Sequence, residues 1–199
     1  MGIDSLAVLL GAFLLGSIPT AVLLGRLAGV DVRTAGSGNP GATNVARTAG
    51  RGLGIATLLL DIAKGAVPVL LAASMPPLAG GGPDATLPLL AALGSVLGHV
   101  FSPILGFRGG KGVATALGAI LALSPTALLL PLVVFVSSVW LTGFVSLGSV
   151  LAALVLPAGA MLAGLQAPAT ATVALIGAVI VWRHAGNIER LRRGTEARL

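Results

Sequence analysis

Long apolar runs separated by short polar islands set the pattern of this chain. Ile3 to Leu27 forms the first apolar run, interrupted at Gly16 and Pro19, and Leu53 to Ser74 forms the second. Leu87 to Phe101 is a third, shorter run that ends at Gly98-His99. From Gly112 to Trp182 there is no Asp, Glu, Lys or Arg, and turn signals at Ser124-Pro125, Thr142-Gly143 and Gln166-Ala167-Pro168 divide this run into four. A helix needs about 20 apolar residues to cross a bilayer. The pattern therefore predicts an all-α, polytopic integral membrane protein, a single domain over residues 1–199 with seven transmembrane helices. The fourth segment, Gly112 to Ser124, would be only about 20 Å long as a helix. Either its neighbours complete the crossing, or the polar loop before it dips below the headgroups, sheltered by surrounding protein.

Composition agrees with the pattern. Hydrophobic residues make up 56% and charged residues 9% of the 199 positions, and the mean hydropathy is +1.03. These values leave no room for a separate soluble domain. The absence of cysteine excludes thiol nucleophiles, disulfides and thiolate metal sites. The first segment lacks a basic region and a cleavage site, so it reads as a retained span rather than a signal peptide.

The net charge of +6 is explained better by topology than by nucleic acid. Arg33, Arg47 and Arg51 lie at 30–52, Arg108 and Lys111 at 102–111, and Arg183, Arg190, Arg192, Arg193 and Arg198 in the C-terminal tail. Seven spans put these segments, and the short connection at 142–145, on one side. The connection Met75-Pro76-Pro77 through Gly80-Gly81-Gly82-Pro83-Asp84, on the other side, has no cation. Cationic loops mark the cytoplasmic face, so the N-terminus is expected outside and the polar islands inside. Lys64 is the exception. It stands three residues after Asp61, close enough to pair on one helical face, as packing or as function.

The polar islands carry the candidate chemistry. In the first, Gly36-Ser37-Gly38-Asn39-Pro40-Gly41-Ala42-Thr43-Asn44, three glycines free the backbone for φ > 0 and close approach to a ligand. Asn39, Thr43 and Asn44 add short polar groups, successive amides can form an anion nest, and Arg47 adds a planar fork of donors. This reads as a phosphate cradle; standing alone, the segment would read more readily as a solvated inter-helix loop. The second island runs from Gly98-His99 through Phe107-Arg108-Gly109-Gly110-Lys111-Gly112-Val113-Ala114-Thr115. It is not a nucleotide-binding P-loop, because Leu105 stands where the leading glycine belongs and Gly112 replaces the magnesium-holding hydroxyl residue. Its glycine amides beside an ammonium suit phosphate nonetheless. The third island holds His184, Asn187 and Glu189. On a continuous helix, His184 and Glu189 would be about 140° apart. A His–Glu dyad is therefore the lesser reading, and Glu189 is expected to support the fold or pair with an arginine.

Together, Gly36 to Asn44 with Arg47, Phe107 to Thr115, and Arg183-His-x-x-Asn-Ile-x-Arg-Leu-x-x-Gly-x-Glu196 resemble the bacterial acyl-phosphate:glycerol-3-phosphate acyltransferases, the PlsY family. The resemblance covers essentially the whole chain. It implies transfer of an acyl group from acyl phosphate to the 1-hydroxyl of glycerol 3-phosphate, giving lysophosphatidate and phosphate. It implies no acyl-CoA, metal or cofactor, no nucleic acid partner, and a monomer in the bacterial inner membrane. By position, Gly36 and Ser37 to Gly41 would cradle the acyl phosphate, with Thr43, Asn44 and Gly110 also lining the substrate site. Arg47, Lys111, His184 and Asn187 would bind glycerol 3-phosphate and neutralise charge on the acyl carbonyl. Ser37, Arg47, Lys111 and His184 are the expected catalytic set, and Ser149 would reach the substrate. Many members place Arg-Tyr ahead of that serine segment, where this chain has Gly143-Phe144. A substrate phosphate oxygen is the expected proton acceptor, with neutral His184 as the alternative. The rival classes are a transporter of a phosphorylated solute, which the broken spans and Asp61–Lys64 would suit, and a non-catalytic assembly subunit.

Overall fold

The computed structural model describes residues 3–75 and 85–198. The breaker-rich connection expected from Pro76 to Asp84 lies outside the described residues. Among the described residues all regular structure is helical, as the sequence pattern predicts: α1 Ile3–Gly16, α2 Thr20–Leu27, α3 Ala42–Thr48, α4 Arg51–Ala73, α5 Thr86–Val100, α6 Val113–Leu123, α7 Leu129–Thr142, α8 Val145–Leu162, α9 Ala167–Arg183 and α10 Ala185–Arg192. The chain divides into two compact units that part at Leu123/Ser124, where the sequence carries its Ser124-Pro125 turn signal.

Among the described residues, five stretches are long and apolar enough to cross a membrane: Ile3–Leu27, Arg51–Ala73, Thr86–Leu105, Pro125–Thr142 and Val145–Leu162. A sixth arises if α9 and α10, bent by 53°, count as one span. The remaining apolar segment, α6, has 11 residues. Its helical length of roughly 16 Å falls short of a crossing, as expected from its sequence.

In the first unit α1 packs on α5, and α4 packs on α6. Lipid tails are as apolar as leucine, so helices in a membrane gain little from hiding hydrocarbon and instead need close backbone approach. Glycines supply it. Gly94 and Gly98, one turn apart on α5, face the carbonyls of Leu9 and Phe13 on α1, while Gly16 of α1 faces that of Ser95. Gly65 of α4 and Gly118 of α6 likewise meet the carbonyls of Thr115 and Ile62. The second unit repeats the device, with Gly148, Gly159 and Gly177 against the carbonyls of Phe135, Ala127 and Ala153.

The break between α1 and α2 shows why Gly16 and Pro19 interrupt the first span. A broken helix exposes carbonyls that hydrocarbon cannot satisfy. Here the Ser102 hydroxyl donates to the Ser17 carbonyl at 2.7 Å and the Lys64 ammonium donates to the Ile18 carbonyl at 2.8 Å. Lys64 also pairs with Asp61 at 2.9 Å, the pairing expected from their spacing. Thr20, at the first position of α2, donates to Asp61 Oδ1 at 2.5 Å. The intramembrane charges thus tie α4 to the break.

A valine at position 98 would drive its side chain into the Phe13 backbone. Gly98→Val is expected to destabilise the protein by about 1–3 kcal/mol or more, read as a lower thermal midpoint in detergent. Gly11→Val, at a position with open space around it, should leave the midpoint unchanged.

Candidate active site

The first island folds around Asn44 rather than around its glycine amides. Asn44, buried in α3, donates through Nδ2 to the carbonyls of Val32 at 2.8 Å and Ala35 at 3.1 Å, and its Oδ1 accepts from the Ser37 amide at 2.9 Å. Its amide group braces the loop from within. Gly36 and Gly38 adopt φ of 59° and 70°, so two of the three glycines serve the left-handed turns that L-residues resist. Gly41 differs from expectation: it is extended, with φ of −146°, and caps the start of α3.

Three of the amides expected to contribute to an anion nest are taken up within the loop. The amides of Gly38, Asn39 and Gly41 are engaged by the Ala35 carbonyl, the Ser37 hydroxyl and the Asn39 carbonyl. What the loop presents are side chains: Ser37 and Arg47 exposed, Asn39 and Thr43 half-buried. At its start, Arg33 holds Asp31 with side-chain and backbone N–H donors, bringing the carboxyl down to about 2. Val32 and Val45 anchor the loop in a small apolar core with Ala21 and Val22, against which Leu105 of the second island also packs.

The second island turns back on α5. Phe107 donates its amide to the Ser102 carbonyl at 2.8 Å, Gly109 to Val100 at 3.1 Å and Gly110 to His99 at 3.2 Å. The amide of Gly110, expected to face a phosphate, is thus directed to the last turn of α5. Both Gly109 and Gly110 are buried, with no space for a Cβ against His99. Gly106 and Phe107 take consecutive left-handed conformations, φ 60° and 61°. This sharp return sets Lys111, half-buried, just before α6. Gly110 also abuts the Pro40 carbonyl, so the two glycine-rich turns meet, with Lys111 next to the junction. Arg47 extends from α3 on the first-island side.

The third island lies in the second unit. His184 sits at the bend between α9 and α10, not on a continuous helix. It is buried, and its Nδ1 lies 2.8 Å from the Ile180 carbonyl. A carbonyl only accepts, so Nδ1 carries the proton and Nε2 of the neutral ring keeps a lone pair. Asn187 is buried and donates to Glu196 at 2.6 Å, and Arg190 donates to the other Glu196 oxygen at 2.7 Å. Glu189 pairs with Arg193 at 2.7 Å, the arginine pairing expected for it, in place of a dyad with His184. Ser149 is buried and its hydroxyl donates to Val145 of its own helix at 2.8 Å. Gly143 is the left-handed cap of α7, and Arg198 lies over the Phe144 ring, 5.0 Å from its centroid.

Sequence reasoning passed over two residues. Glu196 appears in the third motif without a role, yet it holds Asn187. Burial pushes its carboxyl up, but nearby Ser146 and the donors on Asn187 and Arg190, with the Arg190 charge, outweigh this and leave it below the ordinary carboxylate range. Ser146 acts by proximity, because its hydroxyl makes no hydrogen bond of good geometry. His99, buried under Gly110, was noted only as a histidine. Among the described residues no group of His, Cys, Asp or Glu could hold a metal ion.

Because Glu196 has a lowered pKa in the folded chain, its contribution is present above the ordinary carboxylate range. It is lost as pH falls through the lowered value. Protection of the 193–198 backbone against hydrogen exchange should therefore fall on acidification below the ordinary range, and Glu196→Gln should remove that dependence.

Comparison with known proteins places this arrangement. A family profile described as glycerol-3-phosphate acyltransferase matches residues 6–194. The chain is 47% identical over 189 residues to the glycerol-3-phosphate acyltransferase of Geobacter sulfurreducens, covering 94% of this chain and 93% of that protein. It is 44% identical over 199 residues to glycerol-3-phosphate acyltransferase 1 of Deinococcus radiodurans, covering 100% and 98%. It is also similar to the crystal structure of PlsY (YgiH), an integral membrane glycerol 3-phosphate acyltransferase, in its glycerol 3-phosphate form. That match has a TM-score of 0.90 and 39% identity over 98% of this chain and 95% of that one. The lysophosphatidic acid form of that enzyme matches with a TM-score of 0.87 and 38% identity, at the same coverage.

Proposed function

Because the chain belongs to the glycerol-3-phosphate acyltransferase family, the integral membrane acyltransferases of lipid synthesis, we propose that it transfers an acyl group from acyl phosphate to the 1-hydroxyl of glycerol 3-phosphate. The products are lysophosphatidate and inorganic phosphate. The observation that carries this reading is the meeting of the two glycine-rich turns at Pro40 and Gly110, with Lys111 adjoining the junction. Two phosphorylated substrates call for two neighbouring polar turns with cations beside them. The solved relative's glycerol 3-phosphate and lysophosphatidic acid forms support the acceptor and the product.

The side chains of Ser37, Asn39 and Thr43 hold the acyl phosphate, on a loop that Gly36, Gly38, Gly41 and Asn44 shape. Arg47 and Lys111 bind glycerol 3-phosphate and offset charge developing on the acyl carbonyl oxygen, with the Gly110 turn setting the position of Lys111. His184 and Asn187 contact the acceptor, and Ser149 reaches the substrate. Attack by the glycerol hydroxyl forms the ester C–O bond as the acyl–phosphate C–O bond breaks, and phosphate leaves with the bonding pair. The hydroxyl proton passes to a phosphate oxygen. An acyl phosphate is already activated, so no covalent enzyme intermediate is needed, and positioning supplies most of the acceleration. The whole chain, acting as a monomer, works as one acyltransferase with seven crossings of the bacterial inner membrane, the short α6 completing its crossing with the residues on either side of it. Its N-terminus faces outward and the three cation-bearing islands face the cytoplasm.

Purified protein should release phosphate from acyl phosphate only when glycerol 3-phosphate is present, and should be inactive with acyl-CoA. Activity with acyl-CoA would overturn the donor assignment. Arg47→Ala and Lys111→Ala should each lower acyl transfer by about 10³-fold while leaving the thermal midpoint in place.

The pH profile of kcat tests the proton acceptor. A phosphate ester has its second ionisation at about pH 6, so the acid limb should persist in His184→Gln at lower amplitude. Disappearance of that limb would move the proton to His184 Nε2.

A further inference from the structure

The Asp61–Lys64 pair and His99 have no part in the reaction as written, yet they lie directly beneath the junction of the two turns. His99, in the last turn of α5, is buried among three elements. Its Nδ1 edge faces α4 and α6, 3.1 Å from Thr115 Oγ1 and 3.7 Å from Asp61 Oδ1. Its Nε2 edge faces Gly110, so closely that a Cβ there has no room, and the same glycine borders the Pro40 carbonyl. One small cavity joins these groups, lined by Thr20, Pro40, Lys64, His99, Ser102 and Gly110 among others. The ring therefore stands between an intramembrane charge pair and the contact of two substrate loops.

Asp61 is itself fixed. It is fully buried, accepts from Thr20 at 2.5 Å and pairs with Lys64 at 2.9 Å, while Lys64 is anchored on the Ile18 carbonyl. The Asp61 carboxylate on the Nδ1 side favours the proton there, the Thr115 hydroxyl can accept it, and the unprotonated Nε2 then faces the turn. Burying this many charged and polar groups in a span is costly, so such groups mark function more often than packing.

We propose that His99 is a positioning residue for acyl transfer. Asp61 and Thr115 lock its Nδ1–H tautomer, and the Nε2 edge supports the Gly110 turn so that Lys111 and the Pro40 side of the cradle keep their spacing. The proposal rests on the reading of the two turns as phosphate-binding, and it acts on both at once. A loosened support displaces both substrates by a fraction of an ångström, without removing any group that touches them.

The test uses the full-length enzyme in detergent with His99→Asn, Asp61→Asn and Thr115→Val. Each should raise KM for glycerol 3-phosphate and for acyl phosphate by about tenfold, with Thr115→Val still folded, as read from a cooperative thermal transition. The chain has only two histidines, so ¹⁵N-histidine spectra resolve both, with His184→Gln giving the assignment. Wild-type His99 should show Nδ1 protonated and Nε2 bare, and Asp61→Asn should shift His99 toward mixed tautomers without moving His184. Should Asp61→Asn fail to fold, the wild-type tautomer and the Thr115→Val kinetics decide the matter. A protonated Nε2 in the wild type, or unchanged KM values in Thr115→Val and His99→Asn, would overturn the proposal. If Arg47→Ala and Lys111→Ala also left activity intact, the phosphate-binding reading itself would fall, and not this inference alone.

Discussion

A backbone carbonyl inside hydrocarbon must find a donor within the protein, and the first unit is arranged around one place where the helix fails to provide it. At Ser17 and Ile18 the ladder between α1 and α2 is broken, and side chains from elsewhere complete it: Ser102 beyond α5 and Lys64 from α4. Lys64 can serve only because Asp61 balances its charge, and Asp61 is held in turn by Thr20 just past the break. Removing any one of these groups leaves a buried polar partner stranded, which costs about 1–3 kcal/mol or more. The break is thus a junction that fixes α1, α2, α4 and the end of α5 relative to one another.

The reactive loops are built on that junction by the same economy of donors. In soluble anion-binding loops, glycine amides usually point at the ligand. Here the amides of Gly38, Gly41, Gly109 and Gly110 point inward and stitch the loops to themselves or to α5. The outer surface is left to Ser37, Asn39, Thr43, Arg47 and Lys111. Inward amides make rigid turns, and rigid turns hold long cationic side chains at a set spacing. In the second unit Glu196 plays the equivalent part, holding Asn187 and Arg190 together.

Much of this was legible in the sequence, because hydrocarbon leaves few options. The apolar runs, the break at Gly16 and Pro19, the short α6, the Asp61–Lys64 pair and the Glu189–arginine pairing all follow from spacing and from the cost of stranded charge. The position of the islands followed as well, since polar residues in so apolar a chain stand out. What could not be read was the direction of individual groups. A glycine-rich string predicts freedom of φ, and Gly36 and Gly38 use it, but it does not say which way an amide will point. Asn44 looked like a ligand because the sequence shows its amide and hides the Val32 and Ala35 carbonyls that occupy it. His99 escaped notice because its partners come from helices far apart in the chain. The bend at His184 was masked by uninterrupted helix-compatible residues on both sides.

The bracing by Asn44 has an evolutionary corollary. Its amide gives two protons to carbonyl oxygens and receives one from an amide, a division of labour that only a carboxamide can perform. Aspartate, a single base change away and nearly identical in shape, would aim a negative oxygen at two others. A replacement one base change away is therefore among the least tolerable chemically, and lineages would be expected to reach aspartate here only after the whole loop had been rebuilt.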